Sequence, residues 1–267
     1  MTPMVLQRQQ TPQSDTPDSA LSLQSSDGTP RIVFPPAVVE GFRRMVTHLT
    51  CQSPLPSRIA LVATLREEGV TYSTLALATV LANDLGARVC AVELNWWSPG
   101  MYAQLAGPPA IAPRRGWRRP AAPVPARLPA LPDNPGLAGV LADTATIDEA
   151  LITTGLPHLA LLPAGDLRAA QRPAMARSAT LKACLDRLAQ RFDYLLLDIP
   201  ALAATSDAMA LAALGAACCV IIRQGVTPMG QVQRALNDVQ HLPMLGIVMN
   251  RTHIESPHWI QAVLPQE

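Results

Sequence analysis

The chain has 267 residues, of which 21 are basic and 20 acidic, giving a formal net charge of +1, and 49% are apolar. That length and apolar share are enough to bury a substantial core. The near-neutral balance excludes a highly basic nucleic-acid coat and a uniformly acidic tail protein, and Lys182 is the only lysine.

Residues 1–30 are rich in Gln, Ser, Thr, Pro and Asp, a composition expected of a disordered tail. From there the chain alternates between helical and strand patterns. A helix is expected over Ala37–Leu49, then a strand over Ile59–Thr64, a helix over Thr71–Leu85 and a strand over Val89–Leu94. Residues 107–135 hold nine prolines and the run Arg114-Arg115-Gly116-Trp117-Arg118-Arg119. Proline at that density excludes a helix interior or a central strand, so this stretch reads as a surface insertion. Beyond it come a helix at Ile147–Thr154 and a strand at Leu159–Leu162. A helix at Ala179–Arg191 and a strand at Tyr194–Asp198 follow. The last elements are a helix at Asp207–Leu214, a strand at Ala217–Arg223, a helix at Gly230–Val239 and a strand at Gly246–Asn250.

These strands are continuously apolar and lack two-residue alternation, as strands covered on both faces do. The fold class is therefore α/β: a doubly wound, mostly parallel sheet with helices on both faces, in one domain spanning 31–267. Ligands of such sheets bind at the carboxyl ends of the strands. The helix stripe Leu77, Val80, Leu81 and Leu85 is assigned to the core.

Five cysteines occur, none in a C-x-x-C arrangement, and Cys90, Cys218 and Cys219 lie in strand-like apolar runs where they serve as small hydrophobes. No zinc or disulfide framework is legible. The histidines are scattered, and H-E-x-x-H, G-x-S-x-G and G-x-G-x-x-G are all absent. Metalloprotease, serine hydrolase and dinucleotide dehydrogenase readings therefore lack support. The longest apolar run, Met209–Ile222, is too short to cross a bilayer, and a cytoplasmic protein is expected.

The most informative segment joins the first strand of the sheet to its helix: Arg66-Glu67-Glu68-Gly69-Val70-Thr71-Tyr72. A strand, a short turn with Gly, then Thr and a long helix is the geometry of a phosphate-binding loop, in which free helix amides and the helix dipole favour an anion. An ordinary strand-to-helix turn with Thr71 near the cap is the plainer alternative.

Here the chain resembles the bacterial tyrosine kinases of polysaccharide export, a branch of the MinD/ParA-like P-loop ATPases whose loop ends P-G-E-G-K-S-T. The likeness extends along the chain. Glu40-Gly41-Phe42-Arg43 resembles the family's E-x-F-R helix, and Val92-Glu93-Leu94-Asn95-Trp96-Trp97-Ser98-Pro99 its V-D-x-D-L-R-x-P motif. Pro135-Gly136-Leu137-Ala138-Gly139-Val140-Leu141 resembles its G-L-x-x-x-L turn. Phe192–Pro200 resembles its Walker B strand, and Asp207, Thr227 and Gly246–Arg251 follow in the family's order.

The resemblance implies the P-loop NTPase fold and a Mg-ATP or Mg-ADP site. It assigns nucleotide contacts to Arg66, Gly69, Thr71, Tyr72 and Asn250, Mg²⁺ contacts to Thr71 and Asp198, and, in an active enzyme, catalytic roles to Glu93 and Asp198. It implies a membrane-bound polysaccharide co-polymerase or chain-length protein as partner at the cytoplasmic face, and homo-oligomers; nucleic acid is not expected.

The departures fall on the chemistry. Val70 stands where the family has its phosphate-binding Lys, and Glu67 where it has the first glycine of the motif. A Lys near a phosphate oxygen contributes several kcal/mol of attraction at moderate dielectric, on the order of 4 kcal/mol at 4 Å; Val contributes none. Glu93 and Asn95 replace two aspartates, and Trp97 replaces a basic residue. In the E-x-x-R-x-x-R self-association motif Val46 replaces the last Arg. The tyrosines are Tyr72, Tyr102 and Tyr194, so the terminal cluster that such kinases phosphorylate has no counterpart in 255–267. These departures point to a regulatory or scaffold protein with a degenerate phosphate loop. The alternatives are an active ATP-dependent kinase using Arg66 in place of Lys, and a MinD/ParA-like positioning ATPase.

Overall fold

The computed structural model describes residues 21–24, 30–105 and 134–251. The Arg114–Arg119 cluster and residues 255–267 lie outside them. Strand β1 (Ser22–Gln24) pairs antiparallel with β2 (Pro30–Val33), and helix α1 (Pro36–Gln52) leads into β3 (Arg58–Ala63). Helix α2 (Val70–Asp84), β4 (Val89–Glu93) and the short α3 (Met101–Leu105) follow. After the gap come α4 (Gly136–Leu141), α5 (Ile147–Ala150), β5 (Ile152–Thr153) and β6 (Leu159–Leu162). Then come α6 (Arg172–Ala176), α7 (Ala179–Arg191), β7 (Tyr194–Asp198), α8 (Asp207–Ala212), β8 (Ala217–Arg223), α9 (Met229–Val239) and β9 (Met244–Asn250).

Seven strands form one sheet in the order β5-β6-β4-β7-β3-β8-β9, parallel except for the β5–β6 pair. This is the α/β, mostly parallel sheet expected from the sequence. Two apolar clusters cover the sheet. One gathers Val62, Val92, Leu162, Leu185, Leu197 and Val220; the other gathers Phe42, Leu61, Leu77, Leu81, Leu161 and Leu196. Neighbouring residues of one strand, such as Leu61 and Val62, enter opposite clusters, because successive side chains leave opposite faces. Helix α2 is buried from Ser73 through Ala82, which explains its nearly continuous apolar run. Cys90, Cys184, Cys218 and Cys219 are buried within these layers and Cys51 is exposed.

Three expectations are corrected. Leu23, in the expected disordered tail, lies in β1 and is fully buried in the second apolar cluster, so order begins earlier than composition suggested. The helix expected over Ile147–Thr154 stops at Ala150, because Leu151 turns extended (ψ 133°) and Ile152–Thr153 add to the edge of β6. Leu85 is half exposed, since it follows the last turn of α2 and the helix no longer holds it against the core. Among the described residues no helix is long and apolar enough to cross a membrane.

Candidate functional site

The turn between β3 and α2 takes the form of a phosphate loop. Glu67 adopts φ +64° and Gly69 φ +94°, both in the left-handed region. The first helical bond of α2 runs from the Ser73 amide to the Gly69 carbonyl at 2.9 Å. The amides of Val70, Thr71 and Tyr72 therefore lie ahead of the helical ladder, where an anion is favoured.

The loop is braced from within by Glu68, a residue the sequence reading passed over. Its carboxylate is buried and accepts from the amides of Thr64 (2.8 Å) and Leu65 (2.9 Å), while the Thr227 hydroxyl donates to its other oxygen. The Asn250 side-chain amide donates to the Glu68 carbonyl at 2.8 Å. A Cβ at Gly69 would lie 2.1 Å from that same Asn250 nitrogen and would displace it from the Glu68 carbonyl, on a backbone with φ +94° that favours glycine. The one sequence signal for this brace is the appearance of Glu68, Thr227 and Asn250 in family order, without any hint that they meet.

Beneath the loop, parallel register sets Glu93 of β4 directly beside Asp198 of β7, and both are fully buried. The two carboxylates have different surroundings. Glu93 accepts from the amides of Gly100 (2.5 Å) and Met101 (2.8 Å) on one oxygen and of Ala164 (3.0 Å) on the other. Neither oxygen of Asp198 has a hydrogen-bond partner among the described residues.

Burial pushes both pKa values up. For Asp198 the rise is large and the Glu93 charge adds to it, while the neighbouring Thr71 hydroxyl works the other way; for Glu93 the three amides oppose the rise. The three amides favour the charged form of Glu93, whereas burial and the Glu93 charge disfavour the charged form of Asp198. The resemblance gave Glu93 a catalytic role in an active enzyme; the structure shows what its carboxylate touches. With two amides on one oxygen and one on the other, it clasps the ends of β4 and β6.

A groove of about 1100 Å³ opens over the loop. Arg66, Gly69, Thr71, Tyr72 and Asn250, the nucleotide contacts expected from sequence, all border it. Phe42 and Met45 of α1 form one wall, and Trp97 another. Tyr72 packs edge-on to Phe34 with ring centroids 5.4 Å apart, and burial raises its pKa. Arg251 also borders the groove and was not singled out from sequence. Of the α1 motif, Arg43 is engaged by Asp84 at 2.7 and 3.1 Å, Glu40 by Arg44 at 2.8 Å, and Val46 is core.

A magnesium nucleotide matches part of this arrangement. The loop amides suit a phosphate, and a buried, unpartnered Asp198 carboxyl near the Thr71 hydroxyl suits a hydrated cation. Val70 supplies no charge, and Glu67 supplies the wrong one.

No family model and no curated protein matches the chain. Solved structures do. The kinase domain of VpsO aligns with TM-score 0.64 at 18% identity, over 81% of this chain and 94% of that one. The kinase domain of the Escherichia coli tyrosine kinase ETK aligns with TM-score 0.62 at 15% identity, over 82% and 78%. The septum site-determining protein MinD from Pyrococcus horikoshii OT3, solved with Mg-ADP, aligns with TM-score 0.53 at 19% identity, over 80% and 79%. The chain thus shares the fold of the bacterial tyrosine kinase domains and MinD-like ATPases that its sequence resembles.

Proposed function

We propose that the protein is a regulatory or scaffold relative of the bacterial tyrosine kinases that retains nucleotide without turning it over. Its place would be in exopolysaccharide or capsule biosynthesis and export, against a membrane-bound co-polymerase at the cytoplasmic face. One observation carries this reading: the loop keeps its shape while Val70 stands in place of its Lys and Glu67 adds a carboxylate. Glu67 holds a left-handed φ that costs a non-glycine residue roughly 1–2 kcal/mol. Strain of this kind persists where the surroundings hold it in place, and it clusters at ligand sites. A turn with no remaining ligand has no use for it. Phosphoryl transfer, by contrast, depends on positive charge around the transferred group, and Val70 withholds the charge the fold ordinarily places there.

The partner assignment rests on the likeness to kinase domains of this class. Arg43 and Glu40 are already paired within the chain, so the α1 motif offers less to a self-assembled ring than its relatives' motif would.

The purified chain mixed with Mg-ATP is expected to bind nucleotide calorimetrically, to release no phosphate and to form no phosphotyrosine. Phosphate release abolished by Asp198→Ala would establish the active-enzyme alternative instead.

A further inference from the structure

We infer that Arg251, together with Arg66, supplies the positive charge that Val70 does not, so that the groove takes a nucleoside diphosphate in preference to the triphosphate. This rests on the nucleotide-retaining reading above.

The first support is backbone geometry. Among the described residues three non-glycines have positive φ: Glu67, Asp143 and Arg251 (φ +55°). Two of the three border the groove. Arg251 is held in this conformation by its own amide, which donates to the Asn250 side-chain oxygen at 2.8 Å. The nitrogen of that same Asn250 side chain donates to the Glu68 carbonyl at 2.8 Å. One side-chain amide therefore ties Arg251 to the phosphate loop, with both its ends used. A left-handed arginine fixed to the loop by a neighbour's side chain places a cation at the groove.

Charge is the second support. Arg66 and Arg251 are exposed, and neither has an ion-pair partner among the described residues. Of the loop's two carboxylates, Glu68 is turned inward and saturated, which leaves Glu67 facing solvent. The groove thus offers two guanidinium groups and the start of a 15-residue helix against one exposed carboxylate. Guanidinium groups grip phosphate oxygens in pairs. The third support is the buried, unpartnered carboxyl of Asp198 near Thr71, which independently marks this end of the sheet as a ligand site.

A phosphate loop's Lys normally reaches the β- and γ-phosphates. With Val70 in its place, a third phosphate adds negative charge without a matching cation, close to Glu67 and above the Glu93–Asp198 pair. A diphosphate needs only what the loop amides and the two arginines supply.

Calorimetric titration of the full chain with ADP, ATP and inorganic pyrophosphate tests this. ADP is expected to bind about tenfold more tightly than ATP, and Arg251→Ala to weaken ADP by about tenfold, the scale of one charge-assisted contact. Arg251→Lys should recover part of that loss, and Val70→Lys should move the preference toward ATP. Arg251→Gly separates binding from structure: glycine accepts the left-handed backbone, so its melting temperature should not fall, while ADP affinity drops as in the Ala variant. Tighter binding of ATP than ADP, or an Arg251→Ala chain that binds ADP like the parent, overturns the inference while leaving nucleotide retention standing. Pyrophosphate binding as tightly as ADP overturns the nucleoside part. Absence of binding by every probe overturns the retention reading and this inference with it.

Discussion

The two ends of the sheet are built to different rules. At the amino ends of the strands, charges come in pairs: Arg58 with Asp186 at 2.5 Å, Arg88 with Asp193 at 2.6 Å, and Arg191 with Asp148 at 2.5 Å. The Asp193 carboxylate also accepts from the Arg88 amide at 2.8 Å, and its pKa is lowered by that partnership. At the carboxyl ends Arg177 pairs with the buried Asp207, but around the phosphate loop the pairing fails. Asp198 is buried without a partner, Arg66 and Arg251 have no ion pairs among the described residues, and two non-glycine residues hold left-handed backbone. A sheet that pairs its charges at one end and leaves the phosphate loop at the other strained, with Asp198 unpartnered, is organised for stability at the first and for a ligand at the second. If that contrast is real, substitutions at the loop end should have large effects, and equivalent ones at the paired end small effects.

The largest effect is expected from Gly69→Ala. The new Cβ meets the Asn250 nitrogen at 2.1 Å on a backbone with φ +94°, so Asn250 must leave the Glu68 carbonyl. Left-handed strain and a lost hydrogen bond together predict a loss of about 2–3 kcal/mol in urea unfolding. A loss below about 0.5 kcal/mol, the level of an ordinary surface change, would mean that the loop is not held rigidly by Asn250.

Next comes Asp198→Asn, whose effect depends on pH. The folded state keeps the Asp198 proton after the unfolded chain has released its own, so wild-type stability falls as pH rises from the ordinary carboxylate range through the raised pKa. Glu93 contributes in the same direction. The amide cannot ionise, so Asp198→Asn should be more stable than wild type by about 1–2 kcal/mol near pH 8, with the gain vanishing near pH 4. Parallel stability–pH curves for the two proteins would show that Asp198 already has a counter-charge in the folded state.

This contrast also explains what the sequence could and could not reveal. The strands Leu159–Leu162, Tyr194–Asp198 and Ala217–Arg223 were legible to the residue because burial on both faces leaves uninterrupted apolar runs, and the helix Ala179–Arg191 because Leu181, Cys184, Leu185 and Leu188 recur at helical spacing. The loop was legible as a loop because its Gly and Thr spacing is local. What makes it a site is not local. The Asn250–Glu68 bond spans 182 residues and the Glu93–Ala164 bond 71, and no periodicity in either segment announces the other. Glu93 is expected from its place in a motif to be a catalytic carboxylate, and nothing in that motif announces the three backbone donors that clasp it. Arg251 escaped notice for a related reason: its left-handed backbone depends on the side chain of Asn250. The edge strand Ile152–Thr153 was hidden because its helical periodicity is overridden by pairing with β6.

The smallest effect belongs to the paired end. Asp186 is half exposed and Arg58 is one-fifth exposed, so water screens much of their attraction, and fixing two long side chains costs conformational freedom. Asp186→Ala should lower stability by only about 0.5 kcal/mol, and by less as salt is raised. It should leave ADP titrations unchanged, because the pair sits at the amino end of β3 and the phosphate loop leaves from its carboxyl end. The comparison is sharpened if stability and binding respond separately in this way. A shift in ADP affinity from Asp186→Ala would break it, because charge at the paired end would then be reaching the loop along the length of β3.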